Sequence, residues 1–445
     1  MRQHLRVTML LVSVIIFASL ARAQTPPQRV PQSPPAPAQV PALLTLDDAH
    51  RIALQNHPRI AAAQASAAAA SEQITEARSA YFPNLYGSIT GVDSDSGSRI
   101  SAGALNNPTV FDRFATGLTA EQLVTDFGRT QNLVASARLN AQAAQEGVNF
   151  SRADVLINVD RAFYGALRAQ AVLRVAQETV RQRELVSEQI TVFVQNKFKS
   201  GLDLSFANVN LGEAKLLLVR AQNDALASMA LLSEALGLTK ASQFDLVEPA
   251  DAAPSLPGLD DALSAAARTR PELAGAKFEA DSARRFAIAE RDLSLPTISL
   301  AGVAGVAPYR QSPIPLDYAA AGFNVNIPIF NGKLFSARRA EADDRARQSS
   351  AELTDLQDRV ARDVRLAWYS ASTALQNVAL TTQVLDNANE ALELAQARYK
   401  LGLGNIVELS QAQLNQTQAS IAQATAKYDY ASQFSELLYQ EGTLH

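Results

Sequence analysis

Few residues of this chain have the types and spacing that chemistry at an active site requires. His50 and His57 lie seven residues apart, so one helix could present both imidazoles on the same face. A zinc site needs further ligands nearby, and Pro58 interrupts the helical spacing, so a pair of surface histidines is the alternative interpretation. Cysteine is absent and only four histidines occur. Because no nucleophile–base arrangement is evident, we expect no enzyme, no metal and no other cofactor.

The glycine motifs and the charge argue against nucleotide-binding and nucleic-acid-binding proteins. Gly302-x-x-Gly305 and Gly402-Leu403-Gly404 lack the following lysine that a phosphate-binding loop requires. The formal net charge is −4, and the sequence contains neither a basic stripe nor an aromatic stacking surface. We therefore expect no nucleic-acid partner.

The N-terminus has the features of a secretory signal peptide over residues 1–23. Two arginines precede an apolar run, and Ala21-Arg22-Ala23 follows as a cleavage site. An N-terminal membrane anchor is the alternative, although the apolar run is shorter than the roughly 20 residues of a spanning helix. Seven prolines in residues 24–45 indicate a mobile linker, with a recognition motif for a partner as the alternative. An exported chain without cysteine is held together by packing alone.

The elements that must position any functional residue occur twice. Leu46–Ala49 recurs as Leu259–Ala262, and Pro58 recurs as Pro271, both 213 residues later. Such a repeat indicates two copies of one structural unit rather than two domains with separate functions. The predicted organisation is a first repeat at 46–236 with a β-hairpin at about 84–124, an inter-repeat linker at 237–258, a second repeat at 259–440 with a β-hairpin at about 296–329, and a tail at 441–445.

Each repeat is predicted to contain a helix, the hairpin, a very long helix and a return helix. In the hairpins, apolar and polar residues alternate over about ten residues per strand, the length of a tilted membrane strand. In the last of these strands the alternating apolar residues are Phe323, Val325, Ile327 and Ile329. The second long helix carries apolar residues seven apart at Val364, Ala371, Val378, Leu385, Leu392 and Tyr399. This heptad spacing predicts coiled-coil packing, with a narrow stripe that suits a wall of helices in water.

Four membrane strands cannot form a closed barrel within one chain. Open sheet edges cannot face lipid, so several copies must assemble. Two, three or four copies all give even strand totals, and three give twelve strands. The sequence therefore predicts a mainly α protein with membrane β-strands that functions as an oligomer.

These features together resemble the TolC family of outer-membrane efflux proteins. The resemblance covers about 46–440 and rests on the order of its motifs, each of which is weak alone. They are the strand starts at Pro83 and Pro296, the turn Pro328-Ile329-Phe330-Asn331-Gly332 and the tip Tyr399-Lys400-Leu401-Gly402. The absence of a lipid-anchor cysteine is typical of unlipidated members. The resemblance implies a homotrimer with a long α-helical barrel and a twelve-stranded trimeric β-barrel, four strands per protomer.

The same resemblance implies a location and a function. The family lies in the outer membrane of Gram-negative cells, in contact with its lipid, and has a large periplasmic part. It is the passive exit duct of tripartite efflux pumps or of type I secretion systems. Its partners are a periplasmic adaptor protein and an inner-membrane transporter of the RND, ABC or MFS class. A periplasmic coiled-coil adaptor or scaffold without a membrane barrel is the alternative.

The resemblance also implies roles for residues at the two helix turns. Gly201, Leu202, Gly402 and Leu403 match the tips that contact the adaptor, although both glycines could simply be turn residues. Tyr399 matches a gate tyrosine and Glu408 an acid of the periplasmic selectivity ring; packing and a solvated carboxylate are the respective alternatives. Gly404 stands at the arginine position of the family's ion-pair latch, and Ala207 stands at the position of its aspartate partner. Gln411 replaces a second acid of the ring. We therefore expect closure to rest on helix packing and tip contacts.

Overall fold

A computed structural model describes residues 43–93, 99–102, 105–109, 112–238, 244–249, 255–310 and 315–444. The expected signal peptide and most of the proline-rich segment lie outside the described residues. Helices and strands follow in this order: β1 (Leu43–Leu44), α1 (Leu46–Asn56), α2 (Pro58–Ser79), β2 (Asn84–Val92), β3 (Arg99–Ala102), β4 (Leu105–Thr109), β5 (Arg113–Thr125), α3 (Arg129–Gln195), α4 (Gly201–Ala235), β6 (Asp245–Leu246), α5 (Leu259–Thr269), α6 (Pro271–Asp292), β7 (Thr297–Arg310), β8 (Asp317–Asn326), α7 (Leu334–Lys400) and α8 (Ile406–Glu441). No helix in this part of the chain is long and apolar enough to cross a membrane.

The two repeats have helices of nearly identical length. Helices α1 and α5 have 11 residues each, α2 and α6 have 22 each, and α3 and α7 have 67 each. The return helices α4 and α8 have 35 and 36 residues. At 1.5 Å per residue, the two long helices are each about 100 Å long. The duplication predicted from sequence motifs therefore extends to every helix within the described residues.

Prolines set the break between the two short helices of each repeat. Helix α2 begins at Pro58 and α6 at Pro271. Proline is tolerated in the first turn, where its missing N–H would have had no helical partner, but not further inside a helix. The expected break at Pro58 and the expected cap at Thr45 are both confirmed, since Thr45 Oγ1 accepts the Asp48 N–H at 3.1 Å.

The heptad stripe lies against neighbouring helices, as the spacing predicts. Val364 and Ala371 on α7 are completely buried, and so are their first-repeat equivalents Val159 and Ala166 on α3. Helix α3 packs against its return helix α4, against α2 of its own repeat and against α6 of the other repeat. Helix α7 packs against its return helix α8 and against α6 of its own repeat. The face of α7 that corresponds to the α6-covered face of α3 has no helix packed against it among the described residues of this chain.

Trp368, the single tryptophan, packs where α5 meets α7. Its Nε1 donates a hydrogen bond to the carbonyl oxygen of Pro257 at 2.9 Å. The ring packs on a buried apolar cluster formed by Ala262, Ala266, Val360, Val364 and Leu437. The side chain thus fixes the end of the inter-repeat linker against the second long helix.

The four long strands form one antiparallel sheet with the order β2-β5-β7-β8. Residues directly opposite each other in the register share a face of the sheet. One face carries exposed apolar side chains from all four strands: Leu85, Ile89, Leu118, Leu300, Val306, Phe323 and Val325. The other face carries mostly polar or small residues, including Ser88, Thr90, Thr119, Ser299 and Asn324. The sheet is amphipathic, and its apolar face is uncovered in the single chain.

Three features of the strands differ from the sequence-based expectation. Strand β8 ends at Asn326, so Ile327 and Ile329 lie beyond it and do not continue the alternation. The polar stretch between β2 and β5 contains a further pair of short strands, β3 and β4. The expected linkers also contribute strands, because β1 pairs in parallel with β6. Strands of two residues carry too little pattern to be recognised in sequence.

The chain passes from the sheet into each long helix through two residues with left-handed backbone conformation. At the start of α3, Phe127 and Gly128 have φ of 53° and 112°, and at the start of α7, Gly332 and Lys333 have φ of 60° and 70°. The Asp126 carboxylate, in the first junction, accepts the Thr130 N–H at 2.7 Å and so replaces the missing helical partner. Two consecutive left-handed residues redirect the chain from sheet to helix in both repeats.

Candidate functional site at the helix turns

The first turn joins α3 to α4 through residues 196–200. Lys197 adopts a left-handed conformation with φ of 64°. Ser200 and Asp203 then form a reciprocal cap, in which the Asp203 N–H donates to Ser200 Oγ at 3.3 Å and the Ser200 N–H donates to Asp203 Oδ2 at 3.0 Å. Gly201 is the first residue of α4, and its φ is not in the left-handed region. Gly201 is expected from the sequence to be a turn residue; in the structure it begins α4, and the reversal of the chain lies before it.

The second turn joins α7 to α8 through residues 401–405. Gly402 has φ of 75°, and the Leu403 N–H donates to the carbonyl of Arg398 at 2.9 Å, which closes the end of α7. Asn405 then caps α8 by accepting the Glu408 N–H at 2.8 Å. Glycine is favoured at Gly402, because a residue with a Cβ is strained at this φ.

Both turns present large apolar side chains to solvent. Leu202 is 64% exposed and Leu403 is 69% exposed. Phe198 and Leu401, which were not among the expected adaptor contacts, are also exposed. Exposed apolar side chains at a helix turn are a common basis for contact with another protein.

Tyr399 connects the two turns. Its hydroxyl donates a hydrogen bond to Asp203 Oδ1 at 3.2 Å, across the boundary between the repeats. Lys199 lies over the Tyr399 ring, with Nζ 4.0 Å from the centroid, and donates to the Tyr399 carbonyl at 3.3 Å. The ring is 4% exposed and packs with Ile190, Ala207, Leu392, Ile406 and Leu409. Tyr399 is therefore both a heptad packing residue and a polar link between the turns.

The environment of the Tyr399–Asp203 pair holds both groups in the states that the hydrogen bond needs. Burial, reinforced by the neighbouring Asp203 carboxylate, raises the pKa of Tyr399 to about 12. Burial acts to raise the pKa of Asp203, but hydrogen bonds from Ser200 and Tyr399 and the Lys199 charge together hold it below its usual value. The phenol is thus a proton donor and the carboxylate an acceptor over the whole neutral range.

Glu408 is paired rather than free. Its Oε1 accepts a hydrogen bond from Arg398 Nε at 3.0 Å, and both side chains are about half exposed. An ideal Cβ on Gly404 would lie 3.2 Å from both Arg398 Cβ and Glu408 Oε2. Gly404 therefore leaves room for an ion pair whose arginine comes from α7 rather than from position 404.

The structure thus brings Tyr399 and Glu408 to the same helix turn and adds three partners that the sequence did not reveal. Asp203, Lys199 and Arg398 complete the two polar links. Asp203 lies one helical turn before Ala207, the position at which an aspartate was expected. The only sequence signal for Asp203 was its spacing of three residues from Ser200, which is that of a capping box.

The two histidines have separate hydrogen-bond partners. His50 Nε2 is hydrogen-bonded to the buried carboxylate of Asp160, so the interpretation of both histidines as surface residues is wrong for His50. His57 caps α2, where its Nδ1 accepts the Arg59 N–H at 3.3 Å. The described residues contain no group of three potential ligands that could hold a metal ion.

Comparison with known proteins gives a family match over both repeats. The model of the family described as outer membrane efflux protein matches residues 50–238 and 262–439. The outer membrane efflux protein BepC of Brucella suis biovar 1 is 24% identical over 405 residues, which cover 90% of this chain and 86% of the relative. The outer membrane protein TolC of Salmonella enteritidis is 22% identical over 410 residues, with coverage of 88% and 80%.

The fold is similar to solved structures as well. The outer membrane protein VceC of Vibrio cholerae superimposes with a TM-score of 0.77 at 17% identity. The alignment covers 89% of this chain and 96% of VceC. At this identity the likeness concerns the fold, in which long helices continue from a four-stranded sheet.

Proposed function

This chain belongs to the outer membrane efflux protein family, and we propose that it is a passive exit duct for a tripartite efflux pump or a type I secretion system. The duct lies in the outer membrane of a Gram-negative cell and extends into the periplasm. The observation that carries the proposal is the amphipathic sheet with its uncovered apolar face. In an adaptor or scaffold that is surrounded by water, such an exposed apolar face would be unfavourable.

The sheet also supports assembly into a homotrimer. Within the described residues, the outer edges of β2 and β8 have no strand partner. Backbone groups at an open edge cannot be satisfied by lipid, so β8 of one copy pairs with β2 of the next. Three copies give twelve strands, enough to enclose an open lumen, with the apolar face toward lipid and the polar face toward the lumen.

The helices support the same assembly. Helix α3 lies between α2 and α6, whereas α7 has α6 on only one side. Because the repeats are equivalent, α2 of the next copy covers the remaining side of α7. Each copy then contributes two helical hairpins to a periplasmic wall. The two helix turns form the end of this wall that is farthest from the sheet.

The turns are the contact for a periplasmic adaptor and the gate of the duct. The exposed Leu202 and Leu403, next to Gly201 and Gly402, form an apolar tip that the adaptor covers. Tyr399 and Asp203 hold the turns of the two repeats together, and Glu408 with Arg398 borders the opening. Docking of the adaptor and of an inner-membrane RND, ABC or MFS transporter separates the turns and opens the duct.

Membrane fractionation of a Gram-negative host that expresses the chain tests the proposal. We expect a heat-modifiable oligomer in the outer-membrane fraction and discrete single-channel conductance after reconstitution into planar bilayers. Quantitative recovery in the soluble periplasmic fraction, without channel activity, contradicts the proposal and favours the scaffold alternative.

A further inference from the structure

A buried arginine lies between the two helical hairpins without an acidic partner. Arg183 on α3 is 6% exposed, and its Nη2 donates to the Gln413 carbonyl at 2.8 Å and to Thr417 Oγ1 at 3.1 Å. No carboxylate of the described residues lies within ion-pair distance of it. Burial without a counter-ion lowers the pKa of the guanidinium to about 10, still well above neutrality. The site therefore holds a buried positive charge, an arrangement that is destabilising unless an anion compensates it.

A second polar group beside Arg183 also lacks a partner. The Gln413 side chain is 2% exposed, and its Nε2 has no hydrogen-bond acceptor. Asn210 Nδ2 donates to Gln413 Oε1 at 3.5 Å and to Ser410 Oγ at 2.9 Å, which orients the Gln413 amide. A buried N–H donor without an acceptor destabilises the folded state. Gln413 Nε2 lacks an acceptor and Arg183 lacks a counter-ion, and a single anion supplies both.

These groups line one cavity between α3, α4 and α8. Its volume is about 240 Å³, and Arg183, Asn210, Ser410 and Gln413 contribute to its wall. The space is large enough for a small anion with a few waters. Glu213 is the one acidic residue in the lining, and its side chain is at the exposed rim.

We propose that this cavity binds a small anion, such as chloride, phosphate or acetate, from the surrounding solution. The anion accepts hydrogen bonds from Arg183 and from Gln413 Nε2 and neutralises the buried charge. Because α4 belongs to the first repeat and α8 to the second, the bound anion joins the two hairpins above the helix turns. The inference is independent of what the duct transports.

Thermal unfolding of the purified oligomer, titrated with sodium phosphate, sodium acetate or sodium bromide at constant ionic strength, tests this site. We expect a saturable increase of the unfolding midpoint in the wild type, because an anion that binds only the folded state stabilises it by mass action. In Arg183→Gln the apparent Kd should increase at least about tenfold, in keeping with the loss of charge-assisted hydrogen bonds. Equal anion dependence in the wild type and in Arg183→Gln overturns the proposal.

Arg181→Gln is the matched control, since it removes the same charge from an exposed position on the same helix. The unfolding midpoint of Arg181→Gln should increase with anion concentration as it does in the wild type. If Arg183→Gln does not fold, Gln413→Leu replaces it, and the same increase in Kd is expected because the unpaired donor is removed.

The variant Glu213→Gln distinguishes binding of an external anion from a simple ion pair between Arg183 and Glu213. If the cavity binds an external anion, removal of the rim carboxylate should lower the apparent Kd, because repulsion decreases. If Glu213 instead serves as the counter-ion of Arg183 in solution, this variant should be destabilised in the absence of added anion. The second result overturns the proposal. Anomalous scattering from bromide-soaked crystals gives an independent readout, with a peak beside Arg183 expected only in proteins that retain both donors.

Discussion

At the scale of single residues, the hydroxyl of Tyr399 links the two turns through its hydrogen bond to Asp203. Tyr399→Phe removes this bond and keeps the packed ring. We expect a larger or longer-lived open conductance at neutral pH and a loss of stability of about 1–3 kcal/mol. Tyr369→Phe is the control, because Tyr369 is on the same helix but exposed. Unchanged single-channel conductance in Tyr399→Phe would show that the hydroxyl does not hold the gate.

The acid dependence of the closed state follows from Asp203. Its folded-state pKa is depressed below 3.8, so its contribution is complete above the unfolded value and is lost as the pH falls through the lower folded value. We expect conductance to be constant from pH 7 to about pH 4 and to rise below that, as the carboxylate takes up a proton. Asp203→Asn should be more conductive at pH 7 and should lack the acid step. A step of the same size in Asp203→Asn assigns the titration to another group.

Removal of Glu408 and removal of Arg398 should change the cation-to-anion permeability ratio in opposite directions. A half-exposed ion pair contributes at most about 1 kcal/mol, so either partner can be removed without unfolding the turn. Glu408→Gln leaves an unpaired cation at the opening and should lower the cation-to-anion permeability ratio. Arg398→Gln leaves an unpaired anion and should raise it. Reversal potentials in a salt gradient measure both, and two unchanged ratios would mean that the pair does not border the permeation path.

At the scale of elements, the two turns differ in what their glycines do. Gly402 has a left-handed φ, so Gly402→Ala should destabilise the second turn by about 1–2 kcal/mol. Gly201 is an ordinary first-turn helical residue with open space around its Cβ position, so Gly201→Ala should be close to neutral. Thermal unfolding midpoints of the two variants provide the comparison. Equal losses would contradict the different backbone roles.

The helices could be predicted from sequence because their signals are local and repeated. Pro58 and Thr45 determine a helix break and a cap within a few residues, and the heptad series extends over the length of α7. The contacts of the candidate site could not be predicted in the same way. The Tyr399–Asp203 bond joins residues 196 apart, and only the packing of the two hairpins determines which turn of α4 meets the ring. In the sequence, Ala207 indicates that the aspartate is missing. In the structure, Asp203, one helical turn earlier, provides the carboxylate that accepts the Tyr399 hydrogen bond.

At the scale of the whole molecule, the internal duplication predicts the register between neighbouring copies. Strands β5 and β7 join the two repeats and pair Thr119 with Val303. Their equivalents in the other repeat are Asn324 on β8 and Thr90 on β2, as the matching registers of the two hairpins require. If β8 of one copy pairs with β2 of the next as β5 pairs with β7, Asn324 lies directly opposite Thr90 of that copy.

Disulfide formation between copies measures this register without background, because the native chain has no cysteine. Directly opposite residues on antiparallel strands have Cα atoms about 4.5–5.5 Å apart, within the range that a disulfide spans. The double variant Thr90→Cys/Asn324→Cys should therefore oxidise to linked dimers and closed trimers on non-reducing gels. Ser88→Cys/Asn324→Cys, shifted by two residues on the same face, should crosslink weakly. A ladder that ends at two or four copies contradicts the trimer, and stronger crosslinking of the shifted pair contradicts the register, because the β5–β7 pairing would then not be repeated between copies.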